Sequence, residues 1–224
     1  MDGLKLAAKY SFQPNNLGYC GTSSFVSAYK SGDMEKIKQE LKQFRAHYAY
    51  LRLIAKENNK DPFDHDVVKA FWIGNELLEN ICHEAFRDFV ANDLFPESPR
   101  AKPLAENLPE GLVPHHSFNS LYINFISDAV PKTIESYDSC CVTFGEVLSV
   151  SEKATVKRNC IGEGPSLQQK TEEISLEIDG IRFIDSIKPG DLVSVHWGMA
   201  IQVLSPSDYS LLEKYTKRNL LTLQ

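Results

Sequence analysis

The spacing of apolar residues changes near Pro131, and this change constrains the fold more than any other feature of the sequence. Before Pro131 the apolar residues recur every three or four positions, which is the period of an amphipathic helix. After Pro131 they form short β-branched runs separated by Gly, Pro, Asp or Asn, a pattern typical of strands and turns. We therefore predict an α+β protein: an all-α N-terminal domain (residues 1–136) followed by a small OB-like β-barrel with a C-terminal helix (residues 137–224).

The helical part contains two long apolar stripes. The first, over residues 33–58, predicts one amphipathic helix, and the second, over residues 64–89, predicts another with a kink or a close crossing at Gly74. A third helix is expected after Ser117.

Two other segments of this part are rich in residues that favour turns. Residues 11–31 contain Pro14, asparagines and glycines, and we expect an irregular opening there. Residues 96–114 contain five prolines and few apolar residues, which predicts a long connection over the surface.

The second part contains strand patterns and turn signals. Asp179-Gly180 is typical of a hairpin turn, and Lys188-Pro-Gly-Asp191 predicts a second turn. Ser205 and Pro206 are typical of the N-cap and first position of a helix, which we expect to run through Tyr215. The predicted strands are residues 142–150, 154–156, 174–178, 181–184 and 192–195.

Composition argues against several classes of protein. A length of 224 residues, 42% of them hydrophobic, is enough to form a core without disulfides. Because 30 Asp and Glu residues outnumber 24 Lys and Arg residues, we expect binding neither to nucleic acid nor to an anionic membrane. The sequence shows no signal peptide or membrane-spanning stretch, and its five cysteines form no C-x-x-C pair. We therefore expect a cytoplasmic protein.

Two motifs in the second part of the chain occur in a recognisable order. The first is Cys140-Cys-Val-Thr-Phe-Gly145-Glu-Val147, and the second is Lys188-Pro-Gly-Asp-Leu-Val-Ser-Val-His196-Trp-Gly198-Met-Ala200. Together they resemble the two signatures of the HypC/HupF family of hydrogenase-maturation chaperones, and the similarity extends over residues 139–217. The chain departs from that family in having an internal cysteine, and Phe144 where the family has proline.

The resemblance implies a function in metallocentre assembly, specifically maturation of [NiFe] hydrogenase. Members of that family transiently carry iron with CO and cyanide ligands, work with a HypD-like scaffold, and deliver the group to the hydrogenase large-subunit precursor. Cys140 and His196 match the family's cysteine and histidine and are thereby implied as iron ligands. Gly145 and Gly198 are implied to allow close backbone approach to the group. A thiolate and an imidazole are suitable ligands for such iron.

The helical part suggests a different class of function. Cys20 lies between glycines in a predicted loop, and His115 and His116 stand at the predicted start of a helix. These residues suggest a thiol- or metal-dependent enzyme, with a cysteine beside a general base. Capping or packing is the competing interpretation for both histidines. A third hypothesis is a protein-interaction module without cargo.

For the two remaining cysteines of the second part we expect no role in binding or catalysis. Cys141 alternates with Cys140 along a predicted strand, so we expect it to face the other side and to pack in the core. We expect Cys160 to be a loop thiol with no special role.

Overall fold

The helical part consists of short helices. The computed structural model of the protein describes residues 2–123, 130–163 and 166–221. The helices before the sheet are α1 (Gly3–Asn16), α2 (Phe25–Ser31), α3 (Met34–Leu41), α4 (Arg45–Glu57), α5 (His65–Trp72), α6 (His83–Asn92), α7 (Ala101–Glu106), α8 (His116–Phe118) and α9 (Ile134–Cys140). A 3₁₀ helix (Glu76–Asn80) lies between α5 and α6, and α8 continues as a π-helical turn (Asn119–Ile123).

The first predicted helix is broken in two. Because α3 ends at Leu41 and α4 begins at Arg45, the prediction of one helix over residues 33–58 is wrong. Phe44 precedes α4 in a non-helical conformation, and its ring packs edge-on against Phe25 at 4.9 Å between centroids. The apolar stripe keeps its helical spacing across this break, so the sequence pattern does not reveal it.

The second predicted helix is interrupted at Gly74. This residue has a φ of 97°, a left-handed conformation in which an α-helix cannot continue. A Cβ at Gly74 would lie 2.1 Å from the ring of Tyr215, so the C-terminal helix crosses closely here. Of the two alternatives predicted for Gly74, the close crossing is confirmed and the kink is wrong, because the helix ends at Trp72 and a continuous helix over residues 64–89 does not form.

The two segments predicted to be irregular contain helices. α1 runs through Asn16 with Pro14 inside it, α2 follows within residues 11–31, and α7 lies within residues 96–114. Both predictions are therefore wrong in part. Pro14 is tolerated because it lies in the last turn of α1, where it removes only one intrahelical hydrogen bond.

The third predicted helix begins near the expected residue. α8 starts at His116, and the π-helical turn continues it to Ile123. The remainder of the prediction falls on residues 124–129, outside the described residues.

The second part contains a mixed five-stranded sheet and a separate two-stranded one. The strands are β1 (Thr143–Val150), β2 (Lys153–Ile161), β3 (Leu167–Ser175), β4 (Glu177–Ile178), β5 (Ile181–Arg182), β6 (Leu192–His196) and β7 (Met199–Val203), and helix α10 (Pro206–Leu220) follows. In the larger sheet, hydrogen bonding runs in the order β1, β2, β3, β7, β6, and β6 also pairs with β1, so the sheet closes on itself. Among the pairs of described strands, only β3 and β7 are parallel. Strands β4 and β5 pair with each other.

Local signals predicted several of these elements. Asp179-Gly180 forms the turn between β4 and β5, and Ser205 caps α10 by accepting a hydrogen bond from the Asp208 N–H, as predicted. The sequence pattern does not predict the start of β3, because residues 167–173 are mostly polar and exposed. It also does not predict β7 as a separate strand. Cys160 lies buried in β2 rather than in a loop, so that prediction is wrong.

The core extends through both parts of the chain. One cluster of buried side chains contains Phe12 and Trp72 from the helices together with Cys141, Phe144 and Met199 from the second part. A smaller cluster, including Val156 and Val193, fills the inside of the sheet. The helices and the sheet are therefore packed against each other across the expected boundary near residue 136. Among the described residues, no helix has the length and apolar character needed to cross a membrane.

Candidate functional site

A cavity of about 300 Å³ lies where the helices meet the sheet. The loop after α1 contributes Cys20, α4 contributes His47, and α8 contributes His116. Two further residues of these types line the cavity: Cys140, at the end of α9, and His196, at the end of β6. Residues predicted for two separate sites therefore share one cavity.

Cys140 is the last residue of α9, and it is 7% exposed. Thr133 caps this helix at its N-terminus by accepting a hydrogen bond from the Ser136 N–H. Cys141 follows as a buried member of the core and does not line the cavity, which confirms the packing role predicted for it. The strand alternation behind that prediction is wrong, because Cys140 ends a helix and Cys141 is its C-cap. The short helix thus directs one of two consecutive thiols to the cavity.

A buried ion pair fixes α9 on the sheet. Arg158 of β2 donates from Nη1 and Nη2 to the two carboxylate oxygens of Asp138, at 3.0 and 2.6 Å. The backbone N–H of Ile161 donates to the same carboxylate at 2.8 Å, and Glu172 accepts from Arg158 Nε at 2.6 Å. Because Asp138 lies two residues before Cys140, this network positions the thiol.

His196 connects α1 to α9. Its Nδ1 lies 2.9 Å from the carbonyl oxygen of Tyr10, and its Nε2 lies 2.9 Å from that of Cys140. Neither carbonyl has an N–H four residues further along its own helix that could donate to it. Pro14, four residues after Tyr10, has no N–H to donate, and Cys140 ends α9. The proline in α1 thus leaves the carbonyl that His196 binds.

The protonation state of His196 follows from its burial. Burial lowers the pKa of His196 to about 4, although both carbonyl groups favour the protonated ring. At neutral pH the ring carries one N–H, which donates to one of the two carbonyls. Both nitrogens face backbone oxygens, so the ring would have to turn away from a carbonyl before it could bind iron. The predicted iron-ligand role of His196 stays a prediction.

The loop carrying Cys20 lies over the cavity. Asn15 donates from its side chain to the Cys20 and Thr22 carbonyls, at 2.6 and 2.8 Å, and Tyr19 stacks on Trp197 at 4.3 Å between ring centroids. Cys20 is exposed, whereas Cys140, His116 and His196 are buried, which places Cys20 at the opening of the cavity.

The environment of the Cys20 thiol opposes its ionisation. Desolvation by surrounding protein atoms, with a smaller contribution from the charge of Cys140, raises the pKa of Cys20 to about 12. The thiol therefore stays protonated at neutral pH.

The β6–β7 turn consists of Trp197 and Gly198, both with positive φ, 51° and 71°. Such values at both central residues are those of a type I′ hairpin turn, which suits glycine and strains tryptophan. Gly198 is therefore needed for the turn and does not line the cavity. Gly145 allows close approach of the β2 backbone, where a Cβ would lie 2.5 Å from the Lys157 oxygen. The predicted approach of these glycines to an iron group remains a prediction.

His115 and His116 have different surroundings. The Nδ1 of His115 accepts from the Ser117 N–H at 3.2 Å, so His115 caps α8, and it does not line the cavity. His116 does line the cavity, with its ring 5.1 Å from that of His196 and nearly perpendicular to it. Burial, reinforced by the neighbouring histidines, holds the pKa of His116 well below its usual range.

Several buried polar atoms at the cavity have no hydrogen-bond partner within the described parts of the chain. Burial lowers the pKa of His47, one of these residues, to about 3, so its ring is neutral. The sequence does not predict this group. Trp72 lies on the apolar stripe of residues 64–89 and is predicted as core, where the structure also places it, and no pattern in the sequence singles out His47. The atoms are Ser11 Oγ, His47 Nδ1 and Nε2, Trp72 Nε1, Asn119 Oδ1 and Trp197 Nε1.

The described residues contain no group of three or more His, Cys, Asp or Glu placed to hold a metal ion, and no disulfide joins the five cysteines.

Comparison with known proteins identifies one family. The model of a family of unknown function, DUF6390, matches residues 1–224 and so covers the helices and the sheet together. Comparisons with curated proteins and with solved structures found no match. The chain therefore belongs to the family of unknown function DUF6390.

Proposed function

We propose that the protein is an accessory protein of metallocentre assembly that holds an iron group in this cavity through the Cys140 thiolate. One observation carries the proposal. Cys140 and His196 come from the two HypC/HupF-like motifs, line the same cavity, and are joined by the 2.9 Å contact between the His196 ring and the Cys140 carbonyl. The iron group is the cargo of the protein and not a resident cofactor.

Cys20 is the second thiol of the proposed site. Its raised pKa, about 12, disfavours the thiolate that a nucleophilic enzyme needs at neutral pH. A metal ion favours deprotonation of the thiol, because coordination to the metal displaces the thiol proton. The thiols of this cavity are therefore better suited to binding a soft metal group than to nucleophilic catalysis.

His196 is a positioning residue in this proposal. Its ring lies between the Cys140 and Tyr10 carbonyl oxygens, each 2.9 Å from a ring nitrogen, and donates its one N–H to one of them. Groups that orient metal ligands change metal affinity by about 10- to 100-fold when they are replaced. We expect His196→Gln to weaken iron binding within that range.

The resemblance extends the proposal to fold and partners. The closed five-stranded sheet followed by α10 supports an OB-like module of the HypC type. A HypD-like scaffold and a hydrogenase large-subunit precursor are the proposed partners, in the cytoplasm. The helical part then covers the cargo with the Cys20 loop.

The experiment is iron retention by the full-length chain. Protein purified without oxygen is incubated with ferrous iron, separated from unbound metal by gel filtration, and assayed for iron. Cys140→Ser should lose the metal, whereas Cys160→Ser should keep it. Cys160 is the matched control, because its buried thiol lies in β2 and donates to the Gln168 carbonyl at 3.3 Å, a bond that serine can also make.

Other outcomes of this experiment contradict the proposal. Equal iron retention by wild type and Cys140→Ser would exclude Cys140 as a ligand. If wild-type protein retains no iron, the chain is better described as an interaction module without cargo. A catalytic activity abolished by Cys20→Ser and unaffected by Cys140→Ser would favour the thiol enzyme.

A further inference from the structure

The walls of the cavity are predominantly aromatic and apolar. Small-molecule sites in proteins typically have a volume of about 300 Å³ or more, hydrophobic and aromatic walls, and few polar groups. The cavity, at about 300 Å³, lies at the lower limit of that range, so a ligand that fits it is small. Besides the histidines, the aromatic side chains that line it are Tyr19, Phe44, Phe71, Trp72, Phe95 and Trp197.

The cavity opens to solvent beside the break between α3 and α4. Gln43 and Arg45, on either side of Phe44, are exposed and line the cavity. Cys20, on the loop after α1, is also exposed and lines it. These exposed residues show where a ligand enters from solvent.

Half-buried aromatic rings lie next to these exposed residues. Tyr19, which precedes Cys20, stacks on Trp197 with ring centroids 4.3 Å apart and planes 19° apart. The Arg45 guanidinium lies 4.7 Å from the centre of the Phe95 ring. Because Tyr19, Trp197 and Phe95 keep some exposed surface, a planar aromatic molecule entering here can stack on them.

Polar atoms contribute little to the surface that a ligand would meet. The ring nitrogens of His47 and of both indoles have almost no exposed surface, and the same holds for Ser11 Oγ and Asn119 Oδ1. Most of the accessible surface of the cavity is therefore carbon. Contact with such a surface favours an apolar ligand.

The cavity also carries little charge. Among the described residues that line it there is no Asp or Glu, and Arg45 is the only Lys or Arg. Arg45 is exposed and paired with Glu97, which does not line the cavity. Burial lowers the pKa of His47 to about 3 and that of His196 to about 4, and it holds that of His116 well below its usual range, so these rings are neutral at pH 7. Because a charge is costly to move from water to such walls, the cavity favours an uncharged ligand.

We propose that the cavity binds a small, uncharged, planar aromatic molecule of about two fused rings. A cavity of about 150 Å³ accommodates one benzene ring. This cavity has about twice that volume. The inference depends on the walls and the opening, so it goes beyond the iron proposal and does not rest on it.

2-Naphthol tests this proposal, because it has two fused rings and is uncharged at neutral pH. Binding to the full-length, metal-free protein is measured by calorimetry. We expect a dissociation constant below about 1 mM and a negative heat-capacity change, which marks the burial of apolar surface. 2-Naphthoate has the same rings and a negative charge, and it should bind about tenfold more weakly or worse. Phenol should also bind more weakly, because its single ring buries less apolar surface.

Two variants locate the binding. Ala46, a half-buried residue of α4, lines the cavity, so the ring of Ala46→Phe should fill part of it and weaken 2-naphthol binding by about tenfold or more. Ala49→Phe is the matched control: Ala49 lies three residues later on α4, is also half-buried and does not line the cavity, so binding should match wild type. Phe95→Ala removes a ring at the opening without adding bulk and should weaken binding by about two- to tenfold. Circular dichroism checks that each variant is folded.

Three results would overturn the inference. The first is that wild type does not bind 2-naphthol. The second is binding that Ala46→Phe or Phe95→Ala, once folded, retains in full. The third is 2-naphthoate binding as tight as that of 2-naphthol. Because the protein is metal-free in every measurement, failure here leaves the iron proposal standing, and a wild type that retains no iron leaves this site standing.

Discussion

Removal of the Asp138 carboxylate should destabilise the protein by about 3 to 5 kcal/mol, the usual effect of leaving a buried charge without its partner. Arg158 is 5% exposed and donates two hydrogen bonds to Asp138, at 3.0 and 2.6 Å. Asp138→Ala also leaves the Ile161 N–H without its acceptor. Because Glu172 still pairs with Arg158 in this variant, we expect a loss of stability at the lower end of the range, about 3 kcal/mol.

Urea unfolding followed by circular dichroism measures this loss. Glu173→Ala is the control, because the Glu173–Lys153 pair on the same sheet is exposed, and such pairs contribute at most about 1 kcal/mol. The double variant Asp138→Leu with Arg158→Met removes both charges and should recover most of the stability. A loss below about 1 kcal/mol in Asp138→Ala, or a double variant no more stable than the single one, would refute the reasoning.

Three further predictions concern individual residues. Gly74→Ala should lower the melting temperature more than Gly111→Ala: both have positive φ, but only the new Cβ at Gly74 meets a side chain, Tyr215 at 2.1 Å. Equal losses would contradict this. His47→Phe should make the protein less sensitive to acid. In the folded protein the pKa of His47 is about 3, below its ordinary value of 6.5, so the unfolded chain takes up the proton first. The free energy of unfolding of the wild type therefore falls as the pH drops below 6.5, and this contribution is absent from the variant. The difference should reach about 2 kcal/mol near pH 5 in urea unfolding, and identical acid losses would argue against it. If Cys20 binds iron as a thiolate, its raised pKa makes affinity rise by about tenfold per pH unit for that proton, and Cys20→Ser should flatten the measured pH profile by this amount.

The sequence predicts the elements that short-range chemistry controls. The Ser205 cap and Pro206 mark the start of α10, and Asp179-Gly180 supplies the two positive φ values of the β4–β5 turn. The change of apolar period near Pro131 separates helices from strands because each structure repeats its buried side chains at a different interval. The break at Phe44 escapes such reasoning, since it leaves that period unchanged.

The site depends on contacts between distant parts of the chain, and local patterns carry no information on these. Cys20 and Cys140 lie on opposite sides of the expected domain boundary, yet they line one cavity. From the sequence alone, Pro14 indicates a helix break. In the fold it lies inside α1, where its missing N–H cannot bond the Tyr10 carbonyl, and the His196 ring contacts that carbonyl instead. The sequence predicts Trp72 as a core residue because its ring and its neighbours are apolar. Only the fold shows that Trp72 lines a cavity and that its buried N–H has no acceptor among the described residues.

X-ray absorption at the iron edge tests the central claim most directly. The full-length protein, loaded with ferrous iron under anaerobic conditions, should show sulfur among the iron ligands, and the sulfur signal should fall in Cys140→Ser and persist in Cys160→Ser. An iron environment made only of oxygen and nitrogen, or a sulfur signal unchanged in Cys140→Ser, would contradict the assignment of Cys140 as the ligand that holds the cargo.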